Sequence, residues 1–242
     1  MDTPILIAHR GGAAEAPENT LAAFRHAISL GLRYVELDVQ MSSDGELVVI
    51  HDETLDRTTD GTGAVGEHNF EELRRLDAGS WFAPEYAGER IPTLREVLDL
   101  CVPEGVGVVI ELKSPGTYEG MEEKVAALVG EMWLRGVENI WCISFDHDAI
   151  RRMRELDAAL PLGYLYEWDV ESFITSDDTV QAVCPYFRTP LTYPEQVSEA
   201  HRQGKLVFVY TVNEAEDMRL LAEAGIDGMV SDRPSLILEV MR

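Results

Sequence analysis

Positive charge is what this chain has least of. Its 242 residues hold 20 Lys and Arg against 44 Asp and Glu, a formal net charge of −24. Only Lys113, Lys124 and Lys205 are lysines. A field of that sign repels nucleic acid and anionic lipid surfaces, so neither is expected as a partner. Cysteine is also scarce: Cys101, Cys142 and Cys184 sit in apolar stretches without a CxxC spacing. That excludes a disulfide framework and a structural zinc site. No apolar run approaches the ~18–20 residues needed to span a bilayer. The opening MDTPILIAHR has no basic segment followed by a long apolar one, so it does not read as a secretory signal. A cytoplasmic location without membrane insertion is the expectation.

What is present is an ordinary globular composition, 45% hydrophobic and 26% charged, at a length close to that of a (β/α)₈ barrel. Short β-branched runs alternate with helical patterns from end to end. Strands are predicted at Ile5–Arg10, Tyr34–Met41, Gly107–Leu112, Ile140–Phe145, Leu162–Tyr166, Gln181–Phe187, Leu206–Val212 and Gly228–Ser231. Helical faces run through Leu21, Phe24 and Ile28, through Val125, Leu128, Val129 and Met132, and through Leu220, Leu221 and Ala224. The stretch Glu167–Val180 carries the weakest helical pattern. Eight strand–helix units predict an α/β fold with a closed parallel sheet, a (β/α)₈ TIM barrel, formed by residues 1–242 as one domain.

Two excursions depart from that rhythm. Residues 42–46, Ser-Ser-Asp-Gly-Glu, form a turn between apolar runs, so Leu47–His51 should return antiparallel to the second strand. That register brings His51 level with Leu37, beside Glu36 and Asp38. Residues 52–90 are too long for a simple loop and read as a small insertion after the second barrel strand, a lid or cap over the mouth.

The predicted strand ends gather ionisable groups. Glu36 and Asp38 lie two apart on one strand and face the same way; Glu111 and Lys113 repeat the spacing on the next barrel strand. Three carboxylates from neighbouring strands suit one divalent cation with oxygen ligands, Mg²⁺ or Ca²⁺, better than zinc. With Arg10 and Lys113 the mouth stays net negative by about one charge, and a divalent cation makes it positive, so an anionic phosphoester should bind only after metal loading. Arg10 could grip the phosphate in a fork, with Lys113 as a point charge. His9 and His51 are the only histidines at predicted strand ends, while His26, His68, His147 and His201 fall on helices or loops. A pair of histidines can take one proton and deliver another.

These residues form a pattern. His9-Arg10-Gly11, Pro17-Glu18-Asn19-Thr20, Glu36-Leu37-Asp38-Val39, Asp44-Gly45 leading to His51-Asp52, Glu111-Leu112-Lys113, Thr211-Val212-Asn213 and the run Gly225–Pro234 together resemble the glycerophosphodiester phosphodiesterase signature. The resemblance spans residues 8–234, and residues 52–90, with Leu55-Asp56-Arg57-Thr58-Thr59, look like that family's insertion into the barrel. The resemblance implies metal ligation by Glu36, Asp38 and Glu111, His9 as general base, His51 as general acid, and Arg10 with Lys113 on the phosphate. It also implies a small glycerophosphodiester as substrate, cleaved to glycerol 3-phosphate and an alcohol through a cyclic phosphate. Tyr210 stands where the family commonly has tryptophan, against the glycerol moiety.

Several residues keep two readings. Glu18 is placed behind His9 or the metal ligands, and Asn19 either there or, like Thr20, as the cap of the first helix. Asn213 reads as a helix cap or a substrate contact, and Asp232 as a residue that closes the barrel. Asp56, Thr58, Asp60, Gly61 and Glu67 fall near calcium-loop spacing, but position 3 is wrong, and a glycine-rich turn explains them. Two other activities stay open: a phosphodiesterase for larger lipids, of lysophospholipase D or sphingomyelinase D type, with Trp81 and Phe82 as an apolar rim, and a non-catalytic phosphoester-binding barrel.

Overall fold

A computed structural model describes residues 3–134, 139–167 and 177–242. In chain order the elements are β1 (Ile5–Ala8), α1 (Leu21–Ser29), β2 (Tyr34–Met41), β3 (Leu47–Val49), α2 (Phe70–Leu73), α3 (Leu94–Cys101), β4 (Gly107–Leu112), α4 (Met121–Leu134) and β5 (Ile140–Ser144). They continue with α5 (His147–Leu156), β6 (Leu162–Tyr166), β7 (Ala182–Pro185), α6 (Arg188–Thr192), α7 (Glu195–Arg202), β8 (Leu206–Val209), α8 (Ala215–Glu223), β9 (Gly228–Ser231) and α9 (Pro234–Val240). Most of the weakly patterned connection between β6 and β7, residues 168–176, lies outside the described residues.

Eight of the strands are parallel and close on themselves. Their order is β1-β9-β8-β7-β6-β5-β4-β2, and β1 pairs with β2 to complete the ring. The chain is therefore the (β/α)₈ barrel its alternation predicts. Helices form where local signals and burial agree. In α3, Thr93 and Glu96 make a reciprocal capping box, and Leu94, Val97, Leu98 and Cys101 bury one stripe against the sheet. Each such side chain contributes about 1.5–3 kcal/mol of burial. The α4 stripe of Val125, Leu128, Val129 and Met132 is buried as its spacing predicts. In α8 the face differs: Leu220 is 46% exposed, and Met218 with Leu221 covers the barrel. A turn of 100° per residue puts only one of two adjacent leucines against the sheet.

The hairpin forms as expected. β3 runs antiparallel to β2 with Val39 opposite Val49 and Met41 opposite Leu47. Gly45 takes φ +86° at the turn, a left-handed conformation that a side chain disfavours. Beyond it the 52–90 insertion has its own small core, in which Val48, Ile50, Leu55, Val65, Leu73 and Ile91 are buried together. Within the insertion the single helical turn α2 is closed by an Asn69–Glu72 capping box. Cys101, Cys142 and Cys184 are free and buried. Among the described residues no helix is long and apolar enough to cross a membrane.

Candidate active site at the carboxyl ends of the strands

Sheet register assembles the acidic cluster. Asp38 on β2 is the direct register partner of Glu111 on β4, and Glu36 lies one inward-facing step before Asp38. All three are buried, and one oxygen from each lies within 4.8 Å of the others. Among the described residues this is the one such group of three acidic, histidine or cysteine side chains. Asp38 Oδ1 is buried and accepts no hydrogen bond. Burial and the neighbouring Asp38 charge push Glu36 up to about 8, and the same two causes raise Glu111. Asp38 goes the other way: burial opposes its charge, but Arg10, His51 and Lys113 hold it below the usual carboxylate range. Three carboxyl groups thus compete for charge in one dry spot, and an oxygen-coordinating divalent cation fits that donor set. The spread also suits one ion, since opposite ligands of Ca²⁺ stand about 5 Å apart.

The first strand ends sooner than expected. β1 stops at Ala8, and His9–Gly11 form a tight 3₁₀ turn instead of extending the strand. The reason is contact with β2 and α1. Arg10 sits at φ +49°, which turns its backbone N–H onto Glu36 Oε2 at 2.9 Å. A Cβ on Gly11 would stand 2.7 Å from the Ala23 side chain, so the turn packs directly on α1. This turn places both the His9 ring and the Arg10 guanidinium over the cluster. Arg10 Nε lies 3.1 Å from Asp38 Oδ2, and Nη1 donates to Glu18 Oε1 at 2.8 Å.

Each histidine is held by an aspartate at Nδ1. His9 Nδ1 lies 2.5 Å from Asp232 Oδ1, and its Nε2 lies 3.8 Å from Glu36 Oε2. His51 Nδ1 lies 2.7 Å from Asp52 Oδ1, and its Nε2 lies 3.2 Å from Lys113 Nζ. Because carboxylates only accept, each Nδ1 carries a proton and each Nε2 turns toward the cluster. Lys113 also donates to Glu111 Oε1 at 2.8 Å. The two rings differ in charge. Burial works against a charged His9, but Glu36 and then Asp232 outweigh it and raise its pKa. Burial is the largest cause lowering His51, and Arg10 and Lys113 act with it against the raising effect of Asp38 and Asp52.

His51 lies just beyond the hairpin ladder, where the Ile50 N–H still reaches Asp38 O at 3.0 Å. Gln40, on the same face of β2 as Glu36 and Asp38, donates to the His51 carbonyl at 2.9 Å and accepts from the Tyr118 hydroxyl at 2.8 Å. Asn19, at φ +59°, donates to Asp38 Oδ2 at 2.8 Å, while Thr20 is the cap of α1. Glu18 receives both Arg10 and Arg57. Tyr210 lines the central cavity beside His9, Glu36 and Glu111, and its hydroxyl donates to Tyr166 O at 2.6 Å.

Asn213 and Asp232 turn to one another. Glu214, not Asn213, precedes α8 as its cap. Asn213 donates to Asp232 Oδ2 at 2.6 Å and accepts from the Asp232 N–H at 3.0 Å. Asp232 therefore does more than close the barrel, since it holds His9. Four residues outside the expected set emerge: Gln40, Asp52, Arg57 and Asp232. Asp52 was signalled by its place directly after His51, and Gln40 by its alternation with Glu36 and Asp38. In the near-calcium loop, Asp56 accepts from Gly63 N and Asp60 from Asp77 N, which makes it a turn held by carboxylates.

Comparison with known proteins agrees with this geometry. Residues 9–236 match the glycerophosphoryl diester phosphodiesterase family. The chain belongs to that family. Membership makes it a phosphoric diester hydrolase on a TIM barrel. It is 39% identical over 241 residues to a glycerophosphodiester phosphodiesterase of Caldanaerobacter subterraneus subsp. tengcongensis, covering 98% of each chain. It superimposes with TM-score 0.85 on the crystal structure of a glycerophosphodiester phosphodiesterase from Agrobacterium tumefaciens, 32% identical, covering 98% of this chain and 99% of that one. An Oleispira antarctica phosphodiesterase solved in complex with the product sn-glycerol-3-phosphate is similar at TM-score 0.86 and 32% identity, covering 99% of this chain and 97% of that one.

Proposed function

We propose that this glycerophosphodiester phosphodiesterase hydrolyses small glycerophosphodiesters to glycerol 3-phosphate and an alcohol, with one divalent cation and a pair of histidines. The observation that carries the reading is the pair of His–Asp contacts at the mouth, His9–Asp232 and His51–Asp52: His9 Nε2 lies 3.8 Å from Glu36, and His51 Nε2 faces Lys113, which bonds Glu111. Glu36, Asp38 and Glu111 would hold Mg²⁺ or Ca²⁺, which supplies positive charge to a non-bridging phosphate oxygen and offsets the carboxylate field.

The remaining work belongs to side chains. In the free chain Glu36 is the strongest of the influences that keep the proton on His9. With that charge offset, His9 can present an unprotonated Nε2 and act as general base, while Asp232 keeps the ring oriented. In the free chain His51 Nε2 accepts from Lys113; once that nitrogen has taken up a proton, the ring, oriented by Asp52, would be the general acid for the leaving alkoxide. Arg10 and Lys113 bring positive charge to the phosphate, and Arg10 is held ready by Glu18. Tyr210 offers an apolar ring face to the substrate, and Asn213 supports the site through Asp232. Asn19 steadies Asp38.

Glycerol 3-phosphate release from glycerophosphocholine tests the assignment. His9→Ala and His51→Ala should each lose about 10²–10⁴ in rate while keeping their fold. Full activity in both variants would remove the acid–base pair.

A further inference from the structure

Within the 52–90 insertion, Arg57 joins two carboxylates of the mouth. Its Nε and Nη2 donate to Asp52 at 2.7 and 3.0 Å, and its Nη1 and Nη2 donate to Glu18 at 2.7 and 2.8 Å. Both carboxylates have a second partner in the site. Asp52 holds His51 Nδ1 at 2.7 Å, and Glu18 holds Arg10 Nη1 at 2.8 Å. A single guanidinium therefore closes a chain of ion pairs that runs from His51 through Asp52, Arg57, Glu18 and Arg10 to Asp38. We infer that Arg57 is a positioning residue, which fixes the His51 ring through Asp52 and the Arg10 fork through Glu18, and so couples the insertion to delivery of the leaving-group proton.

The inference rests on the two-histidine reading above. Geometry explains why the position needs arginine. Two carboxylates from different parts of the chain are each gripped by two N–H groups, which a planar fork with five donors can supply and an ammonium cannot. Asp52 Oδ1 is shared between His51 and Arg57. Without Arg57, Asp52 and Glu18 would be free to turn to water, and His51 Nδ1 and Arg10 Nη1 would each lose a fixed acceptor. Outer partners of this kind are worth about 10- to 100-fold in activity.

The test separates positioning from general support of the fold by the leaving group. Choline leaves as an alkoxide and needs a proton from His51; 4-nitrophenol leaves as a stable phenolate and does not. Turnover is measured on glycerophosphocholine and on the 4-nitrophenyl ester of glycerol 3-phosphate, with His51→Ala as the reference for a lost general acid. Arg57→Ala is expected to lose about 10- to 100-fold in kcat on the choline ester, with a much smaller loss on the nitrophenyl ester. A rise in KM on both esters would report the Arg10 arm. Arg57→Lys keeps the charge without the fork and is expected to fall alongside Arg57→Ala; it carries the comparison if the alanine variant does not fold. Equal losses of kcat on the two esters, or full kcat on the choline ester in Arg57→Lys, would overturn the inference. Failure of the unaltered protein to turn over either ester would instead strike the phosphodiesterase reading beneath it.

Discussion

The pH dependence of stability in the metal-free protein follows from the crowded carboxylates. Glu36 is raised from 4.5 to about 8 by burial and by Asp38. A carboxyl group with a raised folded-state pKa contributes stability that is full below its unfolded pKa and is lost as pH climbs through the folded value. The window is therefore about pH 4.5 to 8, and Glu111 shifts in the same direction. Asp38 is lowered, so its contribution is already complete above pH 4 and stays constant across that window. At about 1.4 kcal/mol per unit, the Glu36 shift corresponds to a loss on the order of a few kcal/mol between pH 5 and pH 8. For a chain of this length, 1 kcal/mol moves the melting temperature by about 2–4 °C. Differential scanning calorimetry of chelated protein across that range should show a fall of roughly 5–10 °C. Saturating Mg²⁺ or Ca²⁺ should restore more at pH 8 than at pH 5, because the ligands must be deprotonated to bind. Glu36→Gln should flatten the profile and abolish most of the cation-induced gain. A chelated protein as stable at pH 8 as at pH 5, or a cation gain untouched by Glu36→Gln, would refute the reasoning.

Two further outcomes follow from contacts around His9. Proton NMR of the chelated protein should place the His9 titration above the ordinary histidine value and that of His51 below it; Asp232→Asn should bring His9 down and cost about 10- to 100-fold in turnover, and an unmoved His9 titration would contradict the pairing. Gly11→Ala puts a Cβ at φ +82° within 2.7 Å of Ala23, so the variant should melt lower by several degrees and lose activity with it; a variant as stable as the unaltered protein would show that the turn at His9 is not locked on α1.

Much of the barrel is legible because strand and helix periods differ and alternate along the chain outside residues 42–90 and the weakly patterned 167–180. The errors sit where strands run into the mouth. Ile5–Arg10 reads as one extended run, but Arg10 turns left-handed to reach Glu36, an interaction no local pattern reports. Leu206–Val212 also reads as continuous. Its ladder pairs Val209 with Met229, yet the Val212 N–H next reaches Val230 O, so the chain bulges between them and the strand ends at Val209.

The acidic triad was legible for a geometric reason. Glu36 and Asp38 share a face by alternation, and Glu111 follows from the equivalent place on the adjacent strand. The partners of the histidines were less so. Asp232 lies 223 positions from His9 and meets it only because the first and last strands pair, so its role depends on closure of the ring. Arg57 sits in a stretch whose local chemistry reads as a turn. Its importance comes from where the insertion folds back, which depends on a small apolar core that sequence spacing does not locate.

A cation titration of turnover tests the metal role of Glu36, Asp38 and Glu111 most directly. Chelated protein given glycerophosphocholine should release no glycerol 3-phosphate, and activity should rise with added Mg²⁺ or Ca²⁺ to a plateau near one ion per chain. Replacing Asp38 with Asn should remove that response. Steady release by the fully chelated protein, or a plateau unaffected by Asp38→Asn, would contradict the claim that the three buried carboxylates hold the ion the reaction needs.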